Sequence, residues 1–216
     1  MYKIDLHTHS TASPDGGLRA QDYRRALKGG LLDYIAVTDH DNIEFAQKLH
    51  HEIGSHIIVG EEVSTTDGEI VGLYLQQPIP PGLSAVETVH AIKNQSGLVY
   101  IPHPFESVRH GISFTTLNEI ADYVDIVEIY NGRAIFQNRS AEARRWAARH
   151  NAPGASSSDA HGRIGWGRTF SLIVGPPSAV TLGNSLKDAQ HIMRTVGLLG
   201  SAYPKFNRLR KKVNHA

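Results

Sequence analysis

The sequence alternates short apolar runs with amphipathic segments, and this order limits the folds that it can adopt. Runs typical of buried strands lie at 2–9, 34–38, 56–59, 98–101, 125–130, 155–158 and 169–174. Segments between them, such as 20–28 and 84–95, have the apolar spacing of helices that bury one face. Because strands joined by helices usually lie parallel in one sheet, this alternation predicts an α/β fold.

Two further segments complete the predicted topology. A turn at Thr66-Asp67-Gly68 predicts a hairpin that returns through 70–75. We also predict a helix over 186–196 near the end of the chain. At 216 residues the chain is short for eight strand–helix units, so we predict a distorted (β/α)7 barrel similar to a TIM barrel. An open, doubly wound sheet is the alternative.

Residues that can bind metals follow most of the predicted strands. His7 and His9 stand two residues apart, so on a strand both side chains point to one face. Asp159 and His161 repeat this spacing. The candidate ligands are His7, His9, Asp15, His40, Glu62, His103, Asn131, Asp159 and His161. Imidazole and carboxylate ligands suit manganese, zinc, iron or magnesium, so we predict a site for two to three divalent ions.

The charges of this set predict the kind of substrate. Three carboxylates bring a charge of −3, whereas two divalent ions bring +4 and three bring +6. A site with a net positive charge attracts phosphate and stabilises the charge that grows on a phosphoryl group. Glu62 is the candidate bridging ligand for two ions that share an attacking hydroxide. We expect Glu62, Asp159 and His161 to take part in catalysis.

Cationic side chains are expected beside such a site, because they clamp phosphate together with the metals. Four candidates lie in loops that follow strands, on the face where the ligands are predicted. These candidate substrate contacts are Arg109, His110, Arg133 and Arg168. Ordinary solvated charge is the alternative for each of them.

Composition excludes several classes of protein. With no cysteine, the chain has no disulfide, thiolate nucleophile or cysteine zinc finger. No apolar run reaches the ~18 residues of a membrane span, and no N-terminal signal is apparent, so we expect a cytoplasmic protein with no membrane partner.

We predict one domain over 1–202 and a basic tail over 203–216. That tail has five basic residues and no acidic one, which favours an oligonucleotide partner.

Five segments, in order, resemble the motifs of the PHP (polymerase and histidinol phosphatase) superfamily. They are His7-Thr8-His9-Ser10, Thr38-Asp39-His40-Asp41, Gly60-Glu61-Glu62-Val63, Pro102-His103-Pro104 and Ser158-Asp159-Ala160-His161. The similarity runs from residue 3 to about residue 175. Segments 70–74 and 128–131 also resemble the small, stand-alone phosphoesterase branch of that superfamily.

The resemblance implies a distorted seven-stranded barrel with up to three divalent ions. By position, the first ion would be held by His7, His9, Glu62 and Asp159. The second would be held by Asp15, His40 and His161. Glu62 and His103 would share the third with Asn131, where many relatives have histidine. Glu69 also stands where relatives often have histidine, and we expect it to lie behind the ligands.

The resemblance further implies a metal-dependent phosphoesterase acting on phosphomonoesters or phosphodiesters. The branch is linked to nucleotide phosphatases and to 5′–3′ exonucleases on short oligonucleotides, so the expected partner is a nucleotide, an oligonucleotide or another phosphorylated small molecule. A histidinol-phosphatase-like enzyme is an alternative within this class. A metal-dependent amidohydrolase and a non-catalytic PHP partner module are alternatives outside it. The oligomeric state stays open.

Overall fold

The computed structural model of the protein describes residues 1–135 and 137–214 and, for Asn214, the backbone alone. Residues 215 and 216 of the predicted basic tail lie outside this described part. The strands are Tyr2–Asp5 (β1), Tyr34–His40 (β2), Ile57–Thr65 (β3), Gly68–Leu73 (β4), Leu98–Ile101 (β5), Ile126–Asn131 (β6), Gly154–Ser157 (β7), Phe170–Ile173 (β8) and Gln190–Ile192 (β9).

The helices are Ala20–Lys28 (α1), Glu44–Ile53 (α2), Ala85–Asn94 (α3), Phe114–Glu119 (α4), Ser140–Arg149 (α5), Leu182–Lys187 (α6), Gly197–Ser201 (α7) and Tyr203–Asn214 (α8). Single 3-10 turns occur at Ser107–Arg109 and Ala121–Tyr123. No helix in the described ranges combines the length and the apolar character that crossing a membrane requires.

All nine described strands belong to one sheet in the order β7-β6-β5-β4-β3-β2-β1-β8-β9. Seven of them, β1, β2, β3, β5, β6, β7 and β9, run in the same direction, whereas β4 and β8 run the opposite way. The two ends of the sheet approach each other, because the Ser156 backbone N–H donates to Ser171 Oγ at 2.9 Å. At the opposite rim, the His9 N–H donates to the Ala160 carbonyl at 2.9 Å. The result is a nearly closed barrel.

Alternate strand residues pack into two apolar layers, as the period of two requires. Ile35 and Val37 of β2 belong to the layer that also contains Tyr23 of α1, Leu49 of α2 and Trp146 of α5. Tyr34 and Ala36 belong to a second layer that includes Ile4, Leu6, Tyr100, Ile126 and Leu186 of α6. The outer layer therefore attaches the helices to the sheet, and the inner layer fills the barrel.

The predicted distorted barrel and the hairpin through 70–75 are confirmed, whereas the helix predicted over 186–196 is wrong. That segment instead contains the end of α6 and strand β9. β9 pairs antiparallel with β8, with Phe170 opposite Ile192 and Leu172 opposite Gln190. This pairing satisfies backbone groups that β8 would otherwise expose at the edge of the sheet, so a tertiary contact overrides the local helical pattern.

Candidate metal centre

The ends of the parallel strands bring eight of the nine predicted ligands to one rim of the barrel. His7 and His9 follow β1, and Asp15 lies in the loop that continues from them. His40 ends β2, Glu62 lies within β3, and His103 follows β5. Asp159 and His161 follow β7. Seven of these residues are buried, and the His40 side chain is 18% exposed.

The backbone is strained at two of these positions. His103 has a φ of +27° and Asp159 a φ of +51°, values in the left-handed region that residues other than glycine rarely adopt. Such conformations cost free energy and concentrate at functional sites, where the surrounding structure holds them in place. The left-handed backbone conformation sets the direction of the His103 and Asp159 side chains just after their strands end.

The candidate ligand atoms form four overlapping groups, and the atoms of each group lie within 4.8 Å of one another. The groups are His9–Asp15–His40–His161, His7–His9–Asp159, His7–Glu62–His103 and His40–Glu62–Glu69. Shared members join the groups into one continuous cluster of imidazoles and carboxylates.

Glu62 lies between two pairs of imidazoles. Its Oε1 lies 3.0 Å from His103 Nε2 and 3.4 Å from His7 Nε2. Its Oε2 lies 3.2 Å from His9 Nε2 and 3.3 Å from His40 Nδ1. Each oxygen therefore faces a different pair of ligands, which is the arrangement that a carboxylate needs to bridge two cations.

Asp159 joins the residues after β7 to those after β1. Its Oδ1 lies 3.4 Å from His9 Nε2 and 3.3 Å from His161 Nδ1. The His161 ring stacks on the His9 ring with centroids 4.1 Å apart. His161 Nε2 then lies 3.4 Å from Asp15 Oδ1, which closes the group around His9.

These imidazole nitrogens and carboxylate oxygens are suitable ligands for divalent cations. Asp15 Oδ1 and His103 Nδ1 are buried and have no hydrogen-bond partner within the described residues. His7 Nε2 faces His9 Nε2 at 3.1 Å, a contact between two imidazole nitrogens that needs a proton or a cation between them. Neutral imidazole nitrogens and carboxylate oxygens converging in this way suit zinc, manganese or iron.

The pKa values of the cluster reflect its buried negative charge. Burial lowers the pKa of His9, but hydrogen bonds to Asp159 and Glu62 outweigh it and raise the pKa to about 9. Burial raises the pKa of Glu62, but the neighbouring His7 and His40 imidazoles hold it well below its usual range. The buried carboxylates are therefore stable only with positive charge beside them, which either protons on the imidazoles or metal ions can supply.

Glu69, on β4, joins the cluster itself, whereas we expected it behind the ligands. Its Oε1 lies 3.7 Å from His40 Nδ1, and its Oε2 lies 3.7 Å from His103 Nε2. Burial, followed by the negative charges of Glu62 and Asp159, raises the pKa of Glu69 to about 9. The hairpin of β3 and β4 therefore adds a candidate ligand to the group that contains Glu62 and His40.

Asn131, which we predicted as a metal ligand, makes hydrogen bonds through both of its side-chain polar atoms. Its Oδ1 accepts hydrogen bonds from Arg109 Nη1 at 2.6 Å and from the Arg133 N–H at 2.8 Å. Its Nδ2 donates to Glu128 at 2.8 Å and to Asp159 at 3.2 Å. Since both oxygen lone pairs are used, the geometry favours Asn131 as a residue that positions Asp159 and the arginines rather than as a metal ligand.

Glu128 lies directly behind the ligands, and the sequence analysis did not single it out. Its Oε1 lies 3.2 Å from His7 Nδ1 and accepts from the Tyr100 hydroxyl at 2.7 Å. Its Oε2 accepts from the His103 N–H at 2.7 Å. This carboxylate holds the His7 ring so that Nε2 faces the cluster, which is the usual support of a metal-binding histidine. The sequence feature that could have identified Glu128 is its position as a carboxylate within the apolar run of the predicted strand 125–130.

Three of the four predicted substrate contacts lie at the cluster. Arg109 donates to Glu106 and Asn131 and, at 2.8 Å, to Asp159 Oδ2. Arg133 Nη1 lies 3.0 Å from Asp159 Oδ1, and its buried Nε has no hydrogen-bond partner among the described residues. His110 lines the cavity that opens above the cluster.

The prediction for Arg168 is not supported, because this exposed side chain does not line the cavity. Its neighbour Gly167 has a φ of +78° and lies so close to Leu31 that a Cβ would come within 2.4 Å of that side chain. The loop therefore packs against the segment that follows α1, which a reading of strand ends does not reveal.

A cavity of about 470 Å³ opens above the cluster. One wall contains Glu106, Val108 and His110, and the opposite wall contains Lys205 and Arg208 of α8. Part of the predicted basic tail thus forms a wall of the cavity, an arrangement that the charge pattern did not reveal.

We expect Glu128→Gln to lower the affinity for divalent metal by roughly 10–100-fold, because the amide cannot accept all the hydrogen bonds that orient His7 and His103. Titration of metal-free protein against a chromogenic chelator measures this affinity. The control is Glu119→Gln, which changes an exposed carboxylate of α4. Equal affinities in the two variants would contradict the assigned role of Glu128.

Comparison with known proteins adds three findings. No family model matches the chain. The chain is 32% identical over 149 residues to the uncharacterized protein MJ1587 of Methanocaldococcus jannaschii, a match that covers 63% of this chain and 87% of that protein. A two-domain protein from Bacteroides vulgatus, containing a predicted PHP-like metal-dependent phosphoesterase, superposes with a TM-score of 0.73 at 17% identity, covering 96% of this chain and 69% of its own.

A second protein of similar fold is an amidohydrolase from Chromobacterium violaceum, whose structure contains sulfate and no metal. It superposes with a TM-score of 0.57 at 16% identity, and the match covers 89% of this chain and 94% of that one. At these identities the structural matches establish the fold, whereas the match to MJ1587 is a relationship of sequence. The chain therefore belongs to the same family as MJ1587, and its fold is that of the PHP-like proteins, as the five motifs predicted.

Proposed function

We propose that this protein is a metal-dependent phosphoesterase that hydrolyses phosphomonoesters or phosphodiesters, with nucleotides or short oligonucleotides as the expected substrates. The arrangement of Glu62 carries the proposal, because its two oxygens face two different pairs of imidazoles at 3.0–3.4 Å. A carboxylate so placed suits a centre with at least two cations. The MJ1587 relationship leaves the reaction open, since that relative is itself uncharacterized.

The ions would be held by three sets of residues. Two of these sets are His7, His9, Glu62 and Asp159, and Asp15, His40 and His161. The third is His103, Glu62 and Glu69. When bound, divalent ions lower the pKa of a coordinated water toward neutrality and stabilise the charge that develops on a phosphoryl group.

The arginines beside the cluster favour an anionic substrate. Arg109 is occupied by Glu106, Asn131 and Asp159, so its main effect is to neutralise and hold these groups. Arg133 is anchored through Nη1 on Asp159 and retains a buried Nε that lacks a partner in the described part of the chain. That N–H can donate to a phosphoryl oxygen, and a charged hydrogen bond of this kind orients the group toward the cluster.

A metal-dependent amidohydrolase is the second candidate, because one protein of the same fold carries that name. A neutral amide would offer no anionic oxygen to the Nε of Arg133, whereas a phosphoester would. A non-catalytic partner module is less favoured, because eight predicted ligands converge, seven of them in buried positions that such a module has no need to keep.

The direct test is turnover by metal-free protein reloaded with manganese, zinc, iron or magnesium. The substrates are p-nitrophenyl phosphate, bis-p-nitrophenyl phosphate, AMP and a 5′-phosphorylated oligonucleotide. We expect metal-dependent release that falls in His9→Ala and Asp159→Ala by more than the roughly 10–100-fold typical of residues behind the ligands. The matched controls are His51→Ala and Asp122→Ala, which change exposed residues on the helical side.

The preferred substrate would distinguish a phosphatase from an exonuclease. If the protein binds metal stoichiometrically but hydrolyses no phosphoester with any of the four ions, the proposal is wrong. The amidohydrolase alternative would then be tested with N-acyl substrates, and the partner-module alternative by affinity capture.

The role of Arg133 gives a separate expectation. Removing a charged hydrogen bond costs about 1.5–3 kcal/mol, so Arg133→Ala should lower kcat/KM for phosphoesters by about 10- to 100-fold. Arg168→Ala is the matched control, because Arg168 is exposed and does not line the cavity. Steady-state kinetics at saturating metal measure both variants. Loss of activity in Arg168→Ala, or none in Arg133→Ala, would contradict this assignment.

A further inference from the structure

The face of α8 that meets the barrel contacts the loops that carry the candidate ligands. Asn207, Arg208 and Lys211 lie on this face, at the helical spacing that brings side chains together. The exposed face contains Phe206 and Leu209. The helix is separated by almost the whole chain from the residues after β1 that it contacts.

Arg208 acts on Asp15, a member of the group around His9. Arg208 Nη2 donates to Asp15 Oδ2 at 2.7 Å. Asp15 Oδ1 has no hydrogen-bond partner in the described chain and faces His161 Nε2 at 3.4 Å and His40 Nε2 at 3.7 Å. The guanidinium therefore occupies one carboxylate oxygen and leaves the other directed at the imidazoles.

Asn207 connects two ligand loops through their backbones. Its Nδ2 donates to the Asp15 carbonyl at 2.8 Å and to the His161 carbonyl at 2.9 Å. Asn207 is only 2% exposed, and Gly17 lies so close that a Cβ there would come within 2.8 Å of Nδ2. One amide thus fixes the separation of two candidate ligands that lie far apart in the sequence.

Lys211 secures the same loop at a third point. Its Nζ donates to the Thr11 carbonyl at 2.8 Å and also to the Ser13 carbonyl. Ser13 Oγ in turn lies 3.1 Å from His9 Nδ1 and accepts from the His40 N–H at 2.9 Å. The helix therefore acts on all four members of the group, directly on Asp15 and His161 and through Ser13 on His9 and His40.

We propose that Arg208 and Asn207 of α8 are positioning residues that assemble Asp15, His40 and His161, beside His9, as a cation site. The proposal rests on the metal-dependent function proposed above, but it concerns ion binding and does not depend on the substrate. Two of the five basic residues of the tail, Arg208 and Lys211, bind protein groups and are not free to contact a nucleic acid. Lys205, Arg210 and Lys212 remain exposed.

The test compares four full-length variants: Arg208→Ala, Arg208→Lys, Asn207→Asp and Arg210→Ala. Arg208 is 61% exposed, so its removal should leave the fold intact, and thermal unfolding followed by circular dichroism checks this. Asn207→Asp keeps the shape of the side chain but removes the donor to both carbonyls. Arg210→Ala removes an exposed charge from the same helix.

Metal-free protein is titrated with Mn²⁺ by calorimetry, and the visible spectrum of the Co²⁺-loaded protein reports the coordination at the site. We expect Arg208→Ala and Asn207→Asp to lower the affinity for the ion at this site by roughly 10–100-fold. The affinity for ions bound elsewhere in the cluster should remain unchanged. Arg208→Lys should recover part of the loss, and Arg210→Ala should match the unmodified protein.

Unchanged Mn²⁺ binding and Co²⁺ spectra in both Arg208→Ala and Asn207→Asp would overturn the proposal. A rise in KM at saturating metal without any change in ion binding would also overturn it, because Arg208 would then contact substrate instead of positioning Asp15. The Mn²⁺ titration and the Co²⁺ spectrum need no turnover, so they remain decisive even if no phosphoester is hydrolysed.

Discussion

The constraint on which this structure depends is the burial of several ionisable side chains at one end of a barrel. Carboxylates removed from water are stable only when they are paired, hydrogen-bonded or bound to a cation. Here Glu62 and Asp159 are surrounded by imidazoles, and two arginines also contact Asp159, Arg109 at Oδ2 and Arg133 at Oδ1. Much of the surrounding structure can be understood as the means by which this charge is held in place.

Three buried carboxylates extend that arrangement behind the cluster. Asp5 accepts from the Ser158 N–H at 3.0 Å, directly before Asp159, and burial raises its pKa to about 7. Asp39 accepts from the Ser10 N–H at 2.6 Å, directly after His9. Glu128 accepts from the His103 N–H at 2.7 Å and faces the His7 ring through Nδ1 at 3.2 Å. Each ligand loop is therefore fixed by a strand residue whose own burial depends on that contact, which gives the rigidity that a metal centre needs.

The strand ends could be read from the sequence because both the period of two and the direction of parallel strands are local properties. They bring His7, His9 and Glu62 to one rim whatever the packing around them. The contacts that could not be read are long-range: β9 forms through pairing with β8, and Arg208 meets Asp15 across 193 residues. Such contacts depend on where the completed barrel places each loop, so a basic segment was expected to be a tail, although most of it forms a helix against the site.

Electron paramagnetic resonance of the Mn²⁺-loaded protein, with its metal content measured in parallel, shows whether Glu62 joins at least two cations. A bridging Glu62 requires at least two ions per chain and a spectrum of magnetically coupled Mn²⁺ that is lost in Glu62→Gln. One ion per chain, or only isolated Mn²⁺ signals in the unmodified protein at full loading, would contradict it.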